Sequence, residues 1–241
     1  MATSKVIILT GASRGIGLST AHYLLKNSHK LVVVARSAQP LADLKTQYPG
    51  QVETVAADLS DFSVAEKVTS LALKSFSRID GLILCHGVLE PITRVSETNA
   101  EEWRKAFDVN FFSAVAFAKA VIPSLRESHG RIVLVSSGAA TTAYGTWGAY
   151  GSSKAALNHL ASTLKSEEPN ITTMAIRPGV VDTAMQQAIR NTHSEKMDKK
   201  DADKFNGLHR DGGLLRPEQP GNVMARLVLG APKELSGKAL T

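Results

Sequence analysis

Eight residues, Thr10-Gly11-Ala12-Ser13-Arg14-Gly15-Ile16-Gly17, separate the apolar run Val6-Ile7-Ile8-Leu9 from a helix-patterned stretch over 16–27. Glycines at this spacing let the backbone turn tightly. They also let a bulky anion approach main-chain N–H groups at a helix N-terminus, where the peptide dipole favours negative charge. Standing alone, such a string marks only a turn. Between a strand and a helix at the head of an alternating series it points to a bound nucleotide pyrophosphate, with Gly11, Ser13, Arg14, Gly15, Ile16 and Gly17 as its cradle.

The alternation continues along the chain. Residues 6–9, 31–34, 52–55, 81–84, 131–135 and 172–176 read as strands, several of them apolar on both faces, as parallel strands covered on both sides must be. Helices are expected near 16–27, 39–47, 61–77, 98–127 and 148–168, then over 217–230, with a final short strand after Gly237. This series predicts an α/β Rossmann fold: one doubly wound parallel sheet of about seven strands with helices on both faces. No linker-like tract or repeat interrupts it, so residues 1–241 are expected to form a single domain. Within it, 184–213 reads as an irregular or helical excursion beside the site.

Composition narrows the partners. The net charge is +6, but the most charged stretch, 190–212, holds six Lys/Arg against five Asp/Glu. Aromatics make up only 5% of the chain, so the basic residues form no aromatic-interleaved stripe and nucleic-acid binding is not expected. A single cysteine, Cys85, rules out an intrachain disulfide, and the seven histidines lack metal-ligand spacing. No uninterrupted apolar run approaches the ~20 residues of a membrane span. Met1-Ala2-Thr3-Ser4-Lys5 leads into an apolar run too short for a signal peptide. A cytoplasmic protein is expected.

The second strand bears on which nucleotide is bound. Sites for NAD usually carry an acidic residue about 20 positions beyond the glycines, on the ribose 2′-hydroxyl. Here the corresponding stretch is Ala35-Arg36-Ser37. A guanidinium suits a 2′-phosphate, and Arg14 offers a second one, so NADP(H) is expected over NAD(H). Asp58, with Leu59 after it, is placed to meet the adenine edge or to cap the following helix.

Chemistry concentrates near 150. Tyr150 and Lys154 lie four apart on one helix face. A phenol with a pKa of about 10 is a poor acid-base group unless a cation stabilises its ionised form, which Lys154 is expected to do. Ser137 ends the fifth strand, at the edge where open α/β sheets bind ligands, and is suited to polarise a carbonyl oxygen. Pro178-Gly179-Val180-Val181-Asp182-Thr183 ends the sixth strand at the same edge and is suited to anchor a carboxamide.

With these motifs in order, the chain resembles the short-chain dehydrogenase/reductase family over nearly its whole length. The resemblance implies hydride transfer with Tyr150 as general acid for carbonyl reduction. It makes Lys154 the ribose-binding residue that tunes the tyrosine, and Ser137 the residue that orients substrate. Asn110 then helps hold a proton-relay water, Val181 and Thr183 anchor the nicotinamide, and Asp58-Leu59 form the adenine-side motif. One motif departs: the family's Asn-Asn-Ala-Gly is Leu84-Cys85-His86-Gly87 here, so Gly87 keeps the turn while the side-chain bonds that brace the sheet are expected to be lost. The segments 147–159 and 181–187 resemble the fungal benzil reductase and sepiapterin reductase branch, which implies an NADPH-dependent ketone or dicarbonyl reductase. Tyr144, Trp147 and Met185 are the candidates for an aromatic-accepting substrate pocket. The alternatives are a reductase of ketones on an acidic carrier protein and a non-catalytic NADP-binding regulator. The resemblance also implies a homodimer or tetramer joined through the long helices at 98–127 and 148–168.

Overall fold

The computed structural model describes residues 4–241, so Met1, Ala2 and Thr3 of the leading segment lie outside it. Seven parallel strands form one sheet in the order β3-β2-β1-β4-β5-β6-β7. They are β1 (Val6–Thr10), β2 (Lys30–Ala35), β3 (Val52–Ala56), β4 (Gly81–Leu84), β5 (Arg131–Val135), β6 (Thr172–Ile176) and β7 (Ala239–Leu240). The short β7 pairs with β6 through Ala175–Ala239 and Ile176–Leu240. Chain order reverses between β1 and β4, which opens a crevice beyond their carboxyl ends.

The two-residue period of the strands divides the core. Ile8, Val32, Val34, Leu82, Leu84, Ile132 and Leu134 face one side, against α3 (Ser63–Phe76), α5 (Ser113–Ser128) and α6 (Gly148–Glu167). Ile7, Leu9, Leu31, Val33, Ile83 and Val133 face the other, against α1 (Gly15–Lys26), α2 (Ala38–Gln47) and α9 (Glu218–Gly230). Each strand thus needs apolar residues at consecutive positions, which is why the strands are plain in the sequence.

The helix expected over 98–127 runs continuously from Ala100 to Ser128, but not as a regular α-helix. It comprises α4 (Ala100–Phe107), a π turn over Asp108–Phe112, and α5. Asn99 caps it, its side-chain oxygen accepting the Glu102 N–H at 2.9 Å. Among the described residues this helix is the one long and apolar enough to cross a membrane, at 29 residues and a mean hydropathy of 1.3 in its most apolar window. Run-counting missed that property because polar residues interrupt the stretch. Ala114, Phe117, Val121 and Leu125 are buried in the core, so one face of the helix packs against the sheet. The 184–213 excursion is mostly helical: α7 (Ala184–Ala188), a second π turn (Ile189–His193), a short 3-10 turn and α8 (Lys199–Arg210). The chain then returns to pair Leu215 with Val181.

Candidate active site

The candidate cofactor and substrate residues named above, apart from Asn110 and Asp182, line one crevice of about 1120 Å³ at the carboxyl ends of the strands. Pockets for drug-sized molecules span about 300–1,000 Å³, so this crevice has room for a dinucleotide and a substrate together. Its floor is bare backbone. A side chain at Gly17 would collide with the Gly11 carbonyl, and a Cβ on Gly11, whose φ is +70°, would lie 2.9 Å from the His86 nitrogen. Helix α1 opens at Gly15 with no side-chain cap and no acidic residue in its first turn. Its first N–H groups therefore point into the crevice free to meet an anion. The arrangement fits a nucleotide pyrophosphate.

At the far end of this floor Arg14, Arg36 and Ser37 are exposed, and neither arginine forms an ion pair among the described residues. Asp58 accepts hydrogen bonds from the Ser60 N–H and hydroxyl, both at 2.9 Å. Those bonds, helped by the nearby Arg36 charge, hold its carboxyl below the ordinary range. Asp58 thus fixes the loop after β3 while its residue still lines the crevice. Helix α3 starts at Ser63, whose N–H and hydroxyl donate to the Asp61 carboxylate at 3.0 and 2.7 Å, so Asp61 and not Asp58 meets the helix start.

At the near end Tyr150 and Lys154 are both buried on α6. The Lys154 ammonium donates to the Val135 carbonyl at 2.8 Å, and Ser136 donates to the Lys154 carbonyl at 3.1 Å, which ties α6 to the end of β5. Burial pushes Lys154 down to about 8. Burial likewise pushes the Tyr150 phenol above its ordinary range, against the opposing effect of the neighbouring Ser137 hydroxyl. Lys154, expected to stabilise the ionised phenol, is its neighbour on α6. Its ammonium sits 5.7 Å from the tyrosine ring centroid, and desolvation is the larger effect. Tyr150 is consequently held protonated, as a proton donor must be.

Asn110 lies behind this pair rather than in the crevice wall, 1% exposed. Its amide oxygen accepts the Val88 N–H at 2.8 Å, while its amide nitrogen donates to the Val88 carbonyl at 2.9 Å and to Ser153 at 3.1 Å. A Cβ on Gly87 would stand 3.2 Å from both the Asn110 side-chain oxygen and the Lys154 ammonium, so a side chain there would push on both groups. On the opposite wall Thr183 caps α7 and accepts the Gln186 N–H at 3.4 Å. Its methyl group would lie 3.2 Å from a Cβ on Gly15, which closes the Pro178–Thr183 segment over the glycine turn. Val181 and Gly179 are held there by the return of the chain at Leu215.

The substrate candidates also come together. Tyr144 and Trp147 pack with ring centroids 4.9 Å apart, and Phe205 from α8 stacks on Trp147 at 5.4 Å and 22°. Met185, Ile189 and Leu89 complete this apolar wall beside Tyr150. Phe205 was not singled out from the sequence; its signal was an aromatic residue in an otherwise polar helix. The bracing of β4 needs correction. Instead of being lost, it is supplied by His86, which reaches Thr10 at 2.6 Å, the Val109 carbonyl at 2.9 Å and Ser113 at 2.8 Å. Cys85, pushed by burial up to about 12, stays a protonated thiol.

Residues 5–194 match the family model for short chain dehydrogenases. The chain is 44% identical to an uncharacterized oxidoreductase of Schizosaccharomyces pombe over 97% of its own length and 94% of the relative's. It is 40% identical to the benzil reductase ((S)-benzoin forming) of Saccharomyces cerevisiae, covering 98% of this chain and 95% of that one. The crystal structure of a short-chain dehydrogenase/reductase from Saccharomyces cerevisiae superposes with a TM-score of 0.96 at 40% identity, over 98% of this chain and 95% of that chain. With the glycine turn, the sheet order and the Ser137–Tyr150–Lys154 cluster already in one crevice, the chain belongs to the short-chain dehydrogenase/reductase family of oxidoreductases, whose members use nicotinamide cofactors.

Proposed function

We propose that this protein is an NADPH-dependent carbonyl reductase acting on aryl ketones or dicarbonyls of the benzil type. The observation that carries the reading is the aromatic wall of Tyr144, Trp147 and Phe205 beside the Ser137–Tyr150 pair. It is supported by the name of the 40% identical yeast relative and by two arginines without ion pairs at the ribose end. When bound, the reduced nicotinamide supplies a hydride to the carbonyl carbon. Ser137 then holds the carbonyl oxygen, and Tyr150 gives it a proton, so the products are the alcohol and the oxidised nucleotide. Lys154 binds the ribose and keeps positive charge near the tyrosinate until solvent returns its proton. The apolar wall keeps water from the carbonyl. Purified protein should oxidise NADPH with benzil and related diketones and use NADH far less well. Turnover only with carrier-bound β-ketoacyl substrates, or none with any diketone, would overturn the reading.

Association through the long helices belongs to the same proposal. Phe112 and Val115, 44% and 39% exposed, present apolar surface on the outer face of the 100–128 helix. Light scattering at micromolar concentration should give a dimer or larger. Placing aspartates at Phe112 and Val115 together should give monomers, because a paired apolar face cannot bury unpaired charge. A monomeric unaltered protein would contradict this association.

A further inference from the structure

The π turn at 108–112 has a cost in hydrogen bonding. In a regular α-helix the Ser113 N–H would donate to the Val109 carbonyl, four residues back. Here it donates to Asp108, five back, so the Val109 carbonyl gives up that regular α-helical partner. Two side chains satisfy it instead: the Ser113 hydroxyl at 2.6 Å and the His86 Nε2–H at 2.9 Å. With Nε2 donating, His86 Nδ1 accepts the Thr10 hydroxyl proton at 2.6 Å, and the Thr10 oxygen accepts the Cys85 N–H at 3.2 Å. The imidazole therefore links the end of β1, the turn after β4 and the π turn. Burial and the Lys154 charge hold it down to about 4, so it works as a neutral, doubly bonded strut.

We propose that His86 is a positioning residue that holds open the π turn carrying Asn110, replacing the brace that the family places at the position of Cys85. Asn110 sits in the middle of that turn, and its amide clamps Val88, two residues beyond His86. The 85–88 segment and the π turn are thereby stitched at two points, with the Lys154 ammonium close against Gly87. Without the imidazole, the Val109 carbonyl keeps only the Ser113 hydroxyl as a side-chain partner, and the turn is free to revert towards regular α geometry. That would rotate Asn110 away from Val88. The catalytic consequence rests on the reductase reading above, whereas the structural one does not.

His86→Ala should lower kcat for benzil reduction by about 10- to 100-fold, the effect of a small misplacement at a reacting centre. The Kd for NADPH, read by nicotinamide fluorescence, should stay within about twofold, since the imidazole forms no hydrogen bond with Arg14, Arg36 or the first turn of α1. Amide hydrogen exchange over 108–113 should accelerate, and this readout needs no substrate. The double variant C85N/H86A, which brings back the family residues at 85 and 86 beside the retained Gly87, should recover slow exchange and most of kcat. Unchanged exchange at 108–113, a kcat that falls only with the folded fraction, or a double variant no better than the single would overturn the proposal. If the unaltered protein reduces no carbonyl, the reductase reading fails, and the exchange measurement still decides the role of His86.

Discussion

Replacing Tyr150 by Phe is expected to lower carbonyl reduction by about 10²–10⁴-fold, the usual worth of a positioned general acid. The substitution removes one oxygen and little packing. The ring keeps its edge contact with Trp147, at 6.1 Å between centroids, and its place in the apolar wall. NADPH binding should therefore survive, which separates loss of chemistry from loss of the site. Lys154 adds a pH signature. Its ammonium, depressed to about 8, is charged below that pH and loses its proton as the pH rises through it. Because kcat/KM for NADPH reports ionisations of the free enzyme, it should fall above a pH of about 8. Lys154→Met should remove that alkaline limb and lower the rate at neutral pH. A Tyr150→Phe protein reducing diketones at close to the unaltered rate would leave another proton donor to be found.

The elements legible in the sequence were those whose signal is local. Strands buried on both faces must be apolar at nearly every position, and the runs 6–9 and 132–135 need no tertiary knowledge to be read. Tyr150 and Lys154 were legible because helical spacing alone brings them together. What escaped depends on partners distant in sequence. No residue type marks the π turn at Asp108–Phe112, since an i→i+5 bond requires no special side chain. His86 looked like the loss of a brace, because its bonds to Thr10, Val109 and Ser113 cross 76, 23 and 27 positions of chain. Phe205 joins Trp147 only once α8 folds back over the crevice. The burial of the phenol is hidden in the sequence for a related reason. Charge proximity can be read from spacing, but desolvation depends on the whole surrounding wall.

Removing Arg14 and Arg36 together is expected to be the other large effect, and it falls on one coenzyme. Hydrogen bonds to charged groups contribute about 1.5–3 kcal/mol each, so losing one guanidinium from a 2′-phosphate should raise the KM for NADPH by about 10- to 100-fold. NADH carries a hydroxyl there and should be nearly indifferent to the loss. The structure makes a clean test available. Both arginines are exposed, so their truncation opens no cavity and should leave the melting temperature close to its starting value. Arg36→Asp goes further, placing a carboxylate next to Ser37, where it accepts hydrogen bonds from a 2′-hydroxyl and repels a 2′-phosphate. Asp58 will not be disturbed much by the new charge, because its largest stabilising contacts are the Ser60 N–H and hydroxyl. R14A/R36D should therefore reverse the preference from NADPH to NADH at nearly constant kcat with benzil. Equal losses with both coenzymes would mean that the arginines serve the shared pyrophosphate instead, and the selectivity would then have to come from elsewhere in the loop after β2.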